Sequence, residues 1–295
     1  MGANIYKNKK PLLIFLTPAL IFMILYLYYP FIRNIINSFR DIKVLGTNGE
    51  KWNDPLFTNY IELFQDESVW ISLKNTLIMT VVTIVGQLGI ALILALMVDN
   101  IRVGAKFFRT VYFFPIVISA TALGLLFNLI FLYDKGMLNQ VLEMLGKTTL
   151  TDWKREGLAL FTMMLPVMWQ YVGFYFVIII TGLNNISEEL YESAAIDGAT
   201  RLQRVRYISL PLLHNVLCTC VVLATTGALK VFDLPWTMFP KGMPMKTTFL
   251  TGTYMYYQTM ETKNVDYGST LAILIVVLGI ALSKGISAIF KEKDY

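Results

Sequence analysis

Residues 184–209 read NNISEELYESAAIDGATRLQRVRYIS, a polar insert between two apolar runs, Leu158–Leu183 and Leu212–Val231. Each run suffices to cross a bilayer, which takes about 20 predominantly apolar residues. The insert carries its own helix signals. Ser187 is placed to cap a helix N-terminus, and Glu188 and Glu189 suit the positive end of that helix. Leu190, Tyr191, Ala194 and Ala195 recur at helical spacing and predict one apolar face. Gly198 is expected to break the helix, because glycine enters backbone conformations that other residues resist. A second, basic helix with Arg201 and Arg204 then leads to Leu210-Pro211, where proline is tolerated as the next helix begins. The expected unit is helix, bend, helix at a membrane surface, with an apolar face that needs a partner to cover it.

Working outward, four more apolar runs accompany those two: Pro11–Tyr29, Leu73–Val98, Val111–Tyr133 and Ser269–Ile289. The expected fold is an all-α membrane protein with six transmembrane helices in a single domain, 1–295. Composition agrees. Of 295 residues 56% are hydrophobic and 15% charged, and mean hydropathy is +0.57, whereas a soluble domain is about 25% charged. So few charges cannot coat a globule, which excludes a soluble enzyme, a disordered chain and a disulfide-rich secreted domain. The first run follows Lys7, Lys9 and Lys10, yet it is long for a secretory signal and no small-residue cleavage site precedes Tyr28-Tyr29-Pro30. It is therefore expected to be a retained helix. Pro115 and Pro166 lie inside the third and fourth runs, where neighbouring helices can bind the freed carbonyls.

An even number of spans puts both termini on one side. Lys7, Lys9, Lys10, Arg102, Lys106, Arg109, Arg201, Arg204, Arg206, Lys284, Lys291 and Lys293 then share that side with the 184–211 insert. Basic residues are nearly twice as dense there as opposite, which assigns it to the cytoplasm. The opposite side carries a long segment, 31–70, with turn residues Gly46-Thr47-Asn48-Gly49 and Asn53-Asp54-Pro55 and a short amphipathic stretch, Tyr60–Phe64. Cys218 and Cys220 point in different directions on a helix and read as fillers. With one histidine in the chain, no metal site is expected. The net charge of +5 comes without an Arg/Lys-rich tract, so no nucleic acid partner is expected. Gly146-Lys147-Thr148-Thr149 looks like the end of a Walker A loop, but Val141 stands where the pattern needs its first glycine.

Glu192-Ser193-Ala194, then Gly198, then Ile208-Ser209-Leu210-Pro211 resemble the EAA motif of ABC importer permeases. Ser193 departs from the alanine usual in that family, though a small residue still fits a close-packed face. The resemblance extends to Lys74-Asn75-Thr76-Leu77, Phe107-Phe108-Arg109-Thr110, Glu189-Leu190-Tyr191, Val231-Phe232-Asp233 and Tyr267-Gly268-Ser269, which points to the carbohydrate-uptake, maltose-permease-like branch. Gly242-Met243-Pro244 stands where Gly-Gly-Pro is usual, near the surface expected to meet a solute-binding protein. The resemblance implies a type I ABC importer permease architecture, a permease core at 71–290 and a cytoplasmic coupling loop at 184–211. In that loop Glu192, Ser193, Ala194, Gly198, Ile208, Leu210 and Pro211 would engage a cytoplasmic ATPase. It further implies a second homologous permease, two ATPase subunits holding ATP and Mg, an extracytoplasmic solute-binding protein and a location in the bacterial cell membrane. No cofactor is expected in this chain.

The residues themselves offer a substrate passage. Charge inside a membrane is costly and tends to be functional. Lys230 and Asp233 stand three apart, a spacing that permits an intrahelical pair. Trp169, Gln170, Tyr171 and Phe174 join flat rings to one amide near mid-span, where transporter sites lie. Sugars stack on rings and hydrogen-bond to polar groups, so the mix suits a carbohydrate, particularly an oligosaccharide. His214 and Asn215 read as helix-packing polar groups. Lys230 leaves open a permease for glycerol phosphate or another small anion. An ATP-independent secondary transporter would want carboxylates well inside a span, and none stands there. A membrane-embedded enzyme would want a polar catalytic cluster, and none is legible.

Overall fold

A computed structural model describes residues 10–42, 51–99 and 104–290. Lys7, Lys9, Arg102, Lys291, Lys293 and the Gly46–Gly49 turn lie outside the described residues. In chain order the helices are α1 (Leu12–Asn37), α2 (Thr58–Gln65), α3 (Glu67–Val98), α4 (Ala105–Val117), α5 (Ala120–Ile130), α6 (Met137–Met144), α7 (Ala159–Asn184) and α8 (Glu188–Ile196). There follow α9 (Arg201–Arg204), α10 (His214–Lys230), α11 (Asp233–Met238), α12 (Thr251–Tyr256) and α13 (Val265–Ile289). A two-residue antiparallel pair, β1 (Arg40–Asp41) and β2 (Lys51–Trp52), sets Arg40 opposite Trp52.

Among the described residues five helical segments are long and apolar enough to cross a membrane: α1, α3, α7, the run His214–Met238 and α13. A sixth span arises only if α4 and α5 count as one, and they are bent by 92°. The apolar run Val111–Tyr133, expected as one span, is thus broken into two helices. Beyond Pro115, the Ile118 amide reaches back only to the Pro115 carbonyl at 3.3 Å. Ser119 is extended (ψ 130) and starts α5 in a new direction. Hydropathy registers that the stretch is apolar, not which way it points.

The chain divides into two compact units. One holds the residues before Glu67 together with Met255–Leu274. Within it α1 is apolar until Arg33 and Asn34 near its C-terminal end, and none of the residues in its membrane window is buried. Beyond α1, Asn59 donates to the carbonyls of Ser38 and Arg40, both at 3.1 Å. Asp266 accepts the Ile42 amide at 3.2 Å, and the Tyr267 hydroxyl donates to Asp66 at 2.8 Å. Buried polar groups with partners of this kind hold a segment in place without a large apolar core.

The second unit, Glu67–Tyr254 with the residues from Ile275 onward, is organised around α7. Phe176, Ile179 and Ile180 of α7 pack with Leu88, Ala91 and Ala95 of α3 and with Leu213 and Ala224. Met163, Met164 and Val167 pack with Met79, Leu123, Leu234 and Met238. Gly173 lets α4 lie directly on α7, since a Cβ there would collide with the Tyr112 carbonyl and crowd Phe113 Cα at 2.9 Å. Amides bind the irregular backbone. Asn75, 5% exposed, donates to the carbonyls of Thr247 and Phe249 at 2.7 and 2.9 Å, and Asn128 donates to the Thr237 carbonyl at 3.1 Å. Between α5 and α7, Lys154 donates to the Asn128 side chain at 2.6 Å. Burial holds the Lys154 ammonium below its usual range, against the opposing pull of Asp152.

Gly173→Ala should lower stability by about 1–3 kcal/mol, the range for forcing atoms into a packed contact. It would be read as a lower unfolding midpoint in detergent micelles, with Gly173→Val lower still. An unchanged midpoint would mean that α4 and α7 do not need this approach.

Candidate functional site

Two places bring the candidate residues together. The first is the insert after α7. Ser187 accepts the Glu189 amide at 3.3 Å and caps α8. At the other end Gly198 is left-handed at φ 76, and the amides of Ala199 and Gly198 donate to the carbonyls of Ala194 and Ala195 at 2.9 and 3.1 Å. That pairing closes a helix around a left-handed residue. Thr200 then opens α9 reciprocally: it accepts the Gln203 amide at 3.4 Å while Gln203 accepts the Thr200 amide at 2.7 Å. A wider, π-helical turn, Val205–Ser209, comes next, and Leu210–Leu212 leads into α10. The Tyr191 hydroxyl lies 2.9 Å from Ser209 Oγ across the bend.

No residue of α8 is buried. Glu192, Ser193 and Gly198 are exposed, while Ala194, Ile208, Leu210 and Pro211 are half-buried. The expected apolar face is only partly as drawn. Leu190 and Ala195 face out, whereas Tyr191 and Ala194 turn inward. Ile196 and Leu202, 87% and 77% exposed, complete the outward apolar patch. Arg201 and Arg206 are exposed, and Arg204 is half-buried. At the C-terminal end of α3, the Asp99 carboxyl is raised above its ordinary range by desolvation, against the pull of Arg109 and Arg201. His214 sits against the Phe290 ring, centroids 5.6 Å apart. Asn215 borders a groove with Gly182, Ser187 and Leu190.

The second place is a cavity of about 280 Å³ within the second unit. Gln170, Tyr171, Phe174, Lys230 and Asp233 all line it, five of the six residues expected at the passage. Trp169 does not. It is 47% exposed and meets the Phe127 ring edge-on at 5.9 Å. Lys230 and Asp233 are not partners on one helix either, because α10 ends at Lys230, Val231 is extended and Asp233 begins α11. Both side chains are exposed. Gln170, 4% exposed, donates to the Ile118 carbonyl at 3.3 Å, and Ile118 lies at the break between α4 and α5. Thr83, Gln87, Tyr175 and Phe232 also line the cavity and escaped the sequence reading. Gln87 carried a legible signal, an amide deep in the apolar run Leu73–Val98. It donates to the Val167 carbonyl at 2.8 Å. Polar atoms, rings and one charge of each sign thus line one space.

Comparison with known proteins places this geometry. Residues 13–293 match the family described as binding-protein-dependent transport system inner membrane component. The chain is 34% identical to a probable ABC transporter permease, YurN of Bacillus subtilis (strain 168), over 94% of each chain. It is 30% identical to the sulfoquinovosyl glycerol transport system permease SmoG of Agrobacterium fabrum, over 95% of this chain and 90% of that one. Among solved structures it is similar to a chain of a bacterial alginate ABC transporter crystallised with an alginate pentasaccharide-bound periplasmic protein. There the TM-score is 0.83 at 22% identity, over 96% of this chain and 94% of that chain.

Gly198→Ala should destabilise the bend by about 1–2 kcal/mol, the cost of a Cβ in the left-handed region. Gly198→Asn should cost less. Faster hydrogen exchange at the Ala199 amide in the alanine variant alone would register it.

Proposed function

The chain belongs to the binding-protein-dependent transport system inner membrane component family, and from that premise we propose that it is the permease subunit of an ATP-driven importer for a carbohydrate, an oligosaccharide, working by alternating access. It is a multi-pass membrane component and not an enzyme. The observation that carries the proposal is α8: capped at both ends, with Glu192, Leu190 and Ile196 facing outward and no buried residue. A helix so rigidly closed and so little packed on its own chain is built to be gripped from outside.

In this reading residues 184–211 form the coupling loop of a permease core, 71–290, and face the cytoplasm with both termini. Glu192 pairs with a basic group of an ATPase, and Leu190 and Ile196 supply apolar contact. Ser193 and Ala194 keep the helix slim, and Gly198 sets the bend. Ile208, Leu210 and Pro211 fix the entry to α10. Two ATPase subunits hold ATP and Mg, a second permease completes the passage, and a solute-binding protein delivers the ligand on the far face. These partners shift the permease between its states only by binding the two unequally. Relatives whose names state a substrate support the carbohydrate: SmoG's sulfoquinovosyl glycerol and the transporter of alginate. In the cavity, Tyr171, Phe174 and Phe232 offer ring faces, and Thr83 and Gln87 offer hydrogen-bonding groups. Lys230 and Asp233 bring one charge of each sign to the cavity.

Affinity purification of the tagged chain from mild detergent should recover an ATPase, and Glu192→Lys should lose it. Truncating a buried interfacial charge pair costs about 2–5 kcal/mol, and reversing one charge costs at least as much. Equal recovery with the variant would remove the docking role. With the purified complex, ATP turnover should rise when a solute-binding protein loaded from an oligosaccharide panel is added. Stimulation by glycerol phosphate and by no sugar would overturn the carbohydrate reading.

A further inference from the structure

We propose that the hydrogen bond between Tyr191 and Ser209 is the strut through which movement of α8 reaches α10 and the cavity. The inference rests on reading residues 184–211 as the ATPase-docking loop. With none of its residues buried, α8 is held to the rest of the chain by few contacts. At its C-terminal end the chain turns on the left-handed Gly198, and the hydrogen bonds there close within α8 itself, Ala199 to Ala194 and Gly198 to Ala195. Such a closure ends the helix and turns the chain, but none of its bonds reaches beyond Ala199. A second tie beyond the bend turns a hinged pair into a triangle. Tyr191, half-buried on the inner side of α8, supplies it by reaching Ser209 Oγ at 2.9 Å.

Ser209 is placed to pass the movement on. It is 3% exposed and closes the π-helical turn Val205–Ser209, which Leu210–Leu212 continues into α10. A π-helical turn carries one residue more than an α-helical one and is a recurrent feature of functional sites. When it tightens, everything beyond it rotates. From there α10 runs 17 residues, about 25 Å at 1.5 Å per residue. Leu223, Ala224, Gly227, Ala228 and Lys230 of α10 line the cavity. Tyr191 and Ser209 neither line the cavity nor face outward with Glu192. They act as positioning residues between the two.

The test tracks movement at the cavity in the whole complex, purified with its ATPase and reconstituted in lipid nanodiscs. Gly227→Cys serves as reporter, because an added side chain there meets nothing within 4 Å; Cys218→Ala and Cys220→Ala clear the background. Trapping the ATPase with ATP and vanadate should change the N-ethylmaleimide labelling rate of the reporter by about fivefold or more in this parent, and by less than about twofold after Tyr191→Phe or Ser209→Ala, fivefold being the lower end of typical coupling between sites. Ser209→Thr keeps the hydroxyl and should keep the response, and ATPase recovery should match the parent in every variant. A full response in Tyr191→Phe refutes the strut. Loss of response in Ser209→Thr as complete as in Ser209→Ala refutes it too, by assigning the effect to packing. Loss of ATPase recovery in Tyr191→Phe makes Tyr191 a docking residue and overturns the proposal as well. If the parent itself recovers no ATPase, it is the docking reading of the loop that fails.

Discussion

A backbone carbonyl inside a bilayer has no water to bind, so wherever a spanning helix breaks, the protein must supply a donor. The second unit meets that requirement with side-chain amides. Gln170 binds the Ile118 carbonyl at the 92° turn between α4 and α5. Asn128 binds Thr237 at the end of α11, and Asn75 binds Thr247 and Phe249 ahead of α12. Gln87 binds Val167 beside Pro166. Gln170, Asn128 and Asn75 sit on regular helices and reach carbonyls at a break or a helix end, whereas Gln87 lies in the π-helical turn of α3. Without them the bends would revert to straight helices or leave polar groups stranded in hydrocarbon.

The cavity is a consequence of the same breaks. Its lining includes Ala120 just beyond the turn after α4, Val231 to Leu234 where α10 gives way to α11, and Thr83 and Gln87 from the π-helical turn of α3. Three continuous helices packed at native density would leave no such space. Unwinding also brings polar groups to a depth where straight helices present only side chains. Lys230 and Asp233 reach the cavity because the backbone changes direction between them, not because they share a helix face.

This division explains what could be read from the sequence. Long apolar runs announce spans whatever their direction, so α1, α3, α7 and α13 were legible. In the insert after α7 the helix ends were legible, since Ser187, Gly198 and Pro211 act locally, but its outward face was not, because Tyr191 and Ala194 turn inward. The turn at Ser119 was not, because the amide that binds the Ile118 carbonyl there stands fifty-two positions away, at Gln170. Trp169 was misplaced for a related reason: periodicity around α7 does not say which neighbour each ring meets. Gln87 and Asn75 stood in plain view as amides within an apolar run, yet their partners, Val167, Thr247 and Phe249, come only from the tertiary fold. The Tyr191–Ser209 bond was likewise beyond reach, since each residue looked ordinary and only the bend brings them together.

The bareness of α1 bears on how the protein is made. A helix with no buried residue inside its membrane window can enter the bilayer alone, since apolar spans are stable in lipid individually. The helices carrying Asn75, Gln87 and Asn128 lack that independence. Their amides, and the Ile118 carbonyl that awaits Gln170, find their partners only later in synthesis, more than a hundred residues downstream for Asn75 and Asn128. The order of synthesis therefore separates an early anchor from a late, cooperative assembly of the second unit.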